Sequence, residues 1–121
     1  MEDWKLGAVE TRFAELIWQN EPLGSGALVK LCEKELNWKK PTTYTVLRKL
    51  CEEGLFKNEN GAVTSLLSRA DYDAIQGAQL VRESYGGSLP AFIAAFTARN
   101  GLTAAEASEI QKLIDAARQE G

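Results

Sequence analysis

Trp38-Lys39-Lys40-Pro41-Thr42-Thr43-Tyr44-Thr45-Val46-Leu47-Arg48-Lys49-Leu50 is the stretch on which the reading of this chain turns. At about 3.6 residues per turn, Thr43, Val46, Leu47, Leu50 and Cys51 fall on one side of a helix. Thr42, Thr45, Arg48, Lys49 and Glu52 fall on the other. Between Leu36 and Cys51 the sequence places Lys39, Lys40, Arg48 and Lys49 and no carboxylate. One face therefore suits a hydrophobic core, and the other suits an anionic partner with a groove wide enough for a helix. Pro41 fits the first turn, where a missing N–H costs nothing.

On either side the pattern continues. Residues 9–19 predict a helix with Phe13, Leu16 and Ile17 as its apolar stripe and Trp18 at its edge, ended by Asn20-Glu21-Pro22-Leu23-Gly24. Ser25 predicts the N-cap of a second helix reaching about Leu36 and burying Ala27, Leu28, Leu31 and Cys32, with Leu36 a further candidate for the core. Gly54 supplies the left-handed residue that stops the third helix. Residues 55–58 and 62–67 read as short strands, and Glu59-Asn60-Gly61 between them as a turn, since Asn-Gly favours positive φ. Three helices followed by a hairpin is the order of a winged helix-turn-helix.

Composition bounds the function. The 121 residues suffice for one domain, or a small domain with an oligomerisation arm. No run of about 18 apolar residues is present, and Met1-Glu2-Asp3-Trp4 lacks the basic and apolar regions of a signal peptide, so a cytoplasmic protein is expected. The chain has no His, and Cys32 and Cys51 sit at apolar helical positions, so no metal site, cofactor or catalytic nucleophile is expected. Gly24-Ser25-Gly26 is too short for a phosphate loop. The net charge of −3 does not exclude a polyanion, because binding responds to the field of the contacting face.

The second part has a different character. A helix is expected over residues 71–85, with Tyr72, Ile75, Ala78 or Gln79, and Val81 or Arg82 along its faces, stopped by Gly86-Gly87. An apolar stretch follows from Leu89 to Thr97. Thr103-Ala104-Ala105-Glu106 is a capping-box signature opening a last helix. Leu89, Phe92, Ile93, Phe96, Ile110, Leu113 and Ile114 exceed what so short an arm hides by itself. A second copy of the chain is the economical cover, the alternative being that these helices fold back on the winged helix as one monomeric core. The division expected is a winged helix over residues 1–68 and a helical dimerisation region over residues 69–121.

These residues together resemble the penicillinase-repressor and methicillin-resistance-repressor family of bacterial winged-helix regulators. The resemblance rests on Trp38 before a Pro-containing first turn, then Thr42, Thr45, Leu47 and Leu50, then Gly54 and a two-stranded wing. It continues through Gly86-Gly87-Ser88-Leu89, the stretch from Phe92 to Leu102, and the final helix opened by Thr103 and Glu106. The resemblance implies a homodimeric repressor on a dyad-symmetric DNA operator, with intertwined C-terminal helices. In the antibiotic-responsive branch it further implies a membrane-bound metallopeptidase sensor and cleavage in the dimerisation region. That branch is cut at an Asn-Phe pair, and the corresponding pair here is Ala95-Phe96. Thr43-Tyr44 stands where members often carry an amide or cation, so the operator sequence does not transfer. The C-terminal cysteine cluster of the copper-responsive branch is absent from Ala116-Ala117-Arg118-Gln119-Glu120-Gly121.

Roles follow from the chemistry of the groove. Thr42 and Thr45 suit phosphates or base edges, their methyls suit thymine, and Lys39, Lys40, Arg48 and Lys49 suit the phosphate rims. Tyr44 at the edge suits a phosphate or sugar, and Lys57 and Asn58 suit contacts from the wing. The competing reading is a winged helix used as a protein adaptor or anti-repressor. It accounts for the acidic balance but not for the carboxylate-free basic face.

Overall fold

The computed structural model of the protein describes residues 5–120. The residues on which the signal-peptide reading rests, 1–4, and Gly121 lie outside the described residues. Helix α1 (Ala8–Asn20) buries Phe13, Ala14 and Ile17, with Leu16 and Trp18 partly buried against the same core. The Trp18 ring packs 5.6 Å from Phe56 and 5.5 Å from Tyr72. Its indole N–H donates to the Leu67 carbonyl at 2.9 Å, so a large ring packs against the core without orphaning its polar atom.

After α1 the chain makes a short strand, β1 (Leu23–Gly24), and enters α2 (Ser25–Leu36). Two expectations are corrected here. The N-cap is Gly24, and Ser25 is already the first helical residue. Its amide donates instead to the Gly61 carbonyl at 2.7 Å, because β1 brings the wing turn against the start of α2. Ala27 is exposed, since the buried stripe of α2 runs through Leu28 and Cys32 one residue further round. Asn37, in the left-handed conformation at φ 57°, ends α2, and Trp38 stacks on Phe13 at 5.4 Å.

Helix α3 (Lys40–Glu52) has Lys39 as N-cap and Pro41 in its first turn. Gly54 (φ 89°) ends it. The Leu55 amide donates to the Leu50 carbonyl at 3.0 Å and the Gly54 amide to Cys51 at 3.1 Å, the paired bonds of a Schellman motif. The wing comprises β2 (Phe56–Glu59) and β3 (Ala62–Ser65), joined by Asn60 (φ 53°) and Gly61 (φ 83°). Positive φ at both turn residues matches the twist of the paired strands. The sheet is antiparallel in the order β1-β3-β2, with Val63 opposite both Leu23 and Asn58. Glu21 holds the far end of β3, accepting the Ser65 amide at 2.8 Å and its hydroxyl at 2.9 Å. Phe13, Ile17, Leu28, Leu47, Leu50, Leu55, Phe56 and Val63 are fully or almost fully buried and join helices to sheet. This is a winged helix.

Helix α4 (Arg69–Ser84) follows, its first turn capped by the Ser68 hydroxyl, which accepts the Asp71 amide at 3.0 Å. Of the alternatives on its face, Gln79 is buried and Ala78 exposed, and Val81 is half-buried while Arg82 is exposed. The chain divides into two compact units, one up to Gln79 and one from Leu80 onward, so α4 contributes to both. In the second unit, Ser88 caps α5 (Leu89–Asn100) through the Ala91 amide. Tyr85, Phe92 and Phe96 form a ring series with centroids 5.3 and 6.0 Å apart. Helix α6 (Ala104–Glu120) opens on a complete capping box: Glu106 accepts the Thr103 amide and the Thr103 hydroxyl accepts the Glu106 amide, both at 3.0 Å.

Candidate nucleic-acid interface

Core packing fixes the rotation of α3. Thr43, Leu47 and Leu50 are buried, with Val46 and Cys51 half-buried beside them. Thr42, Thr45, Arg48, Lys49 and Glu52 are consequently exposed on the opposite side, together with Lys39 and Lys40 at the N-terminus. The apolar side also explains the thiols. Burial pushes Cys32 up, offset in part by the neighbouring Thr43 hydroxyl, and burial alone pushes Cys51 up. Both favour the neutral, unreactive form.

The exposed side chains differ in what they have free to offer. Thr45 donates its hydroxyl proton to the Pro41 carbonyl at 2.9 Å. In this rotamer it can accept a bond from a base amino group or place its methyl against thymine, but it cannot donate to a phosphate. Tyr44 is half-buried, and its hydroxyl bonds the Ser25 hydroxyl at 3.1 Å. The Lys40 ammonium stands 6.0 Å from the centre of its ring. Tyr44 thus ties α3 to the start of α2, and Ser25 in turn is tied to the wing turn. Sequence reading singled out Tyr44 as an edge contact and missed Ser25, whose partner lies 19 residues away.

Among the cations, Lys49 is engaged. Its ammonium sits 2.7 Å from Glu10 Oε2 in α1, which raises the Lys49 pKa and lowers that of Glu10, the hydrogen bond being the largest cause of each. Lys57 in β2 is paired with Glu59 at 2.9 Å, both exposed. Lys39 and Arg48 are exposed and have no ion-pair partner among the described residues. Arg48 lines a cleft of about 240 Å³ with Tyr44, Leu47, Cys51 and Asn58, which brings α3 and the wing strand to one opening. A second opening is lined by Thr45, Arg48, Lys49, Glu52 and Glu53, with carboxylates at the C-terminal end of α3. The unpaired positive charge therefore lies at the N-terminus and middle of α3.

A helix anchored by one face, exposing hydroxyls and cations on the other and flanked by a hairpin, defines a winged-helix nucleic-acid reader. The chain belongs to the penicillinase repressor family, whose model matches residues 6–116. That is a family of DNA-binding transcriptional repressors, not of enzymes. No curated protein matches the chain. Among the described residues no group of His, Cys, Asp and Glu is arranged to hold a metal ion, and no helix is long and apolar enough to cross a membrane.

Proposed function

We propose that the protein represses transcription as a homodimer on a dyad-symmetric operator, each protomer laying α3 in the major groove. Thr42 and Thr45 face the base edges. Lys39, Lys40, Arg48 and Lys49 meet the phosphate rims, Lys57 and Asn58 approach from the wing, and Tyr44 flanks the groove. The observation that carries this reading is the outward face of α3, which has no carboxylate from its N-cap to Cys51 in a chain of net charge −3.

The dimer is formed by residues 69–121. Among the described residues, no side chain of α5 or α6 is buried in the single chain. Leu89, Ile93, Phe96, Ile110, Leu113 and Ile114 are all exposed there, and Phe92 is half-buried. A single recognition helix offers few contacts, so two half-sites read together bind far more tightly than either alone. Repression is relieved by a signal that acts between Leu89 and Leu102, since severing this stretch separates reader from clasp. A membrane-bound metallopeptidase sensor is the partner that the antibiotic-responsive branch suggests. The bond Ala95–Phe96 lies inside α5, so a protease that requires an extended substrate reaches it only after α5 opens.

A mobility-shift titration of the chain's own promoter against a random duplex, over a range of salt, tests the reading. A specific complex with a steep salt dependence is expected. Absence of any complex at low salt favours the protein-adaptor reading instead.

A further inference from the structure

Glu10 was not among the residues that the sequence singled out, yet its carboxylate is where the basic face meets an anion of the protein itself. Oε2 takes the Lys49 ammonium at 2.7 Å, and Oε1 accepts the Gly7 amide at 3.2 Å at the start of α1. A carboxylate in the first turn of a helix is favoured there by the helix dipole, so its placement does not depend on Lys49. The pair remains open to solvent, with the Lys49 side chain 55 % and the Glu10 side chain 25 % exposed. An ion pair this accessible is weak enough to exchange partners.

We propose that Glu10 sets the affinity of the DNA face by acting as a resident competitor: its carboxylate holds Lys49 in the free protein, and a phosphate reaches Lys49 only by displacing it. This deepens the DNA-binding reading and rests on it. After the exchange the carboxylate stays beside the incoming phosphate and repels it, so Lys49 contributes less than an unpaired cation does. Arg48 and Lys39, with no ion-pair partner among the described residues, carry no such penalty. Because phosphate contacts hold no sequence information, the competitor lowers binding to every duplex rather than to the operator alone.

Glu10→Gln keeps an oxygen for the Gly7 amide and removes the charge. Glu15→Gln is the charge-matched control: Glu15 pairs with Arg69 at 3.0 Å, not with a cation of α3. A whole added phosphate contact steepens the salt dependence by about 0.9, or about 1.8 for a dimer, so the advantage of Glu10→Gln over the parent should grow by up to about tenfold between 200 and 50 mM salt. It should do so on operator and random duplex alike, and most of the gain should vanish in a Lys49→Ala background. A Glu10→Gln protein that matches Glu15→Gln removes the inference and leaves the DNA-binding reading standing. One that binds more weakly than the parent shows Glu10 positioning Lys49 for the phosphate and overturns the competition. A parent that binds no duplex at low salt removes the reading and the inference together.

Discussion

Leu113 is the most exposed of the large apolar residues on α6, at 69 % of its full surface. If a second copy covers it, its replacement is the sharpest test of the clasp. Complete burial of a leucine side chain is worth about 1.5–3 kcal/mol, so covering the remaining two-thirds contributes about 1–2 kcal/mol per protomer. Twofold symmetry places the residue in the interface twice, giving about 2–4 kcal/mol per dimer. Leu113→Ala should then raise the dimer dissociation constant by about 30- to 1000-fold. It should not disturb α6, because Ala is the best helix former. Leu113→Asp adds the cost of desolvating a carboxylate and should give monomers throughout the micromolar range. Sedimentation equilibrium measures both, with Leu66→Ala as control, since Leu66 is 58 % exposed but lies in the first unit. A parent that sediments as a monomer, or a Leu113→Asp chain as dimeric as its parent, would refute the reasoning.

Four further outcomes are expected. Arg48→Ala should lower the salt slope of DNA binding by about 0.9 per subunit, and Lys49→Ala by clearly less, because Glu10 already holds Lys49. Thr45→Ala should weaken operator binding by about 1 kcal/mol, whereas Thr45→Val, which keeps a methyl, should retain the part due to thymine contact; competition binding separates them. Phe56, fully buried against Trp18, should cost about 3–5 kcal/mol of unfolding free energy on replacement by Ala in a urea titration. The Glu106 carboxyl is held below its ordinary value by the Thr103 amide first and the Thr103 hydroxyl second. Its folded pKa being depressed, the stabilisation is present above the ordinary glutamate value and is lost as pH falls through the folded value. Acid titration followed by circular dichroism should show that loss in the parent and not in Glu106→Gln.

What the sequence disclosed and what it concealed divide by distance along the chain. The rotation of α3, the Asn60-Gly61 turn, the stop at Gly54 and the Thr103/Glu106 capping box each depend on residues a few positions apart, and each leaves a pattern in that window. Strand β1 has two residues, too few for any periodicity, and it exists because β3 offers an edge to Leu23. Its presence moves the start of α2, frees Ser25 from capping, and so gives Tyr44 a partner. The pairing of Lys49 with Glu10 spans 39 residues and is equally invisible to local pattern. The consequence reaches the function itself. Four cations that look equivalent in the sequence are not equivalent on the surface: Arg48 and Lys39 are unpaired among the described residues, Lys40 lies over the Tyr44 ring, and Lys49 is bound to a carboxylate. A count of positive charges thus overstates the field that a phosphate meets. Where each carboxylate stands, Glu10 beside Lys49 and Glu59 beside Lys57, matters more to that field than the net charge of the chain.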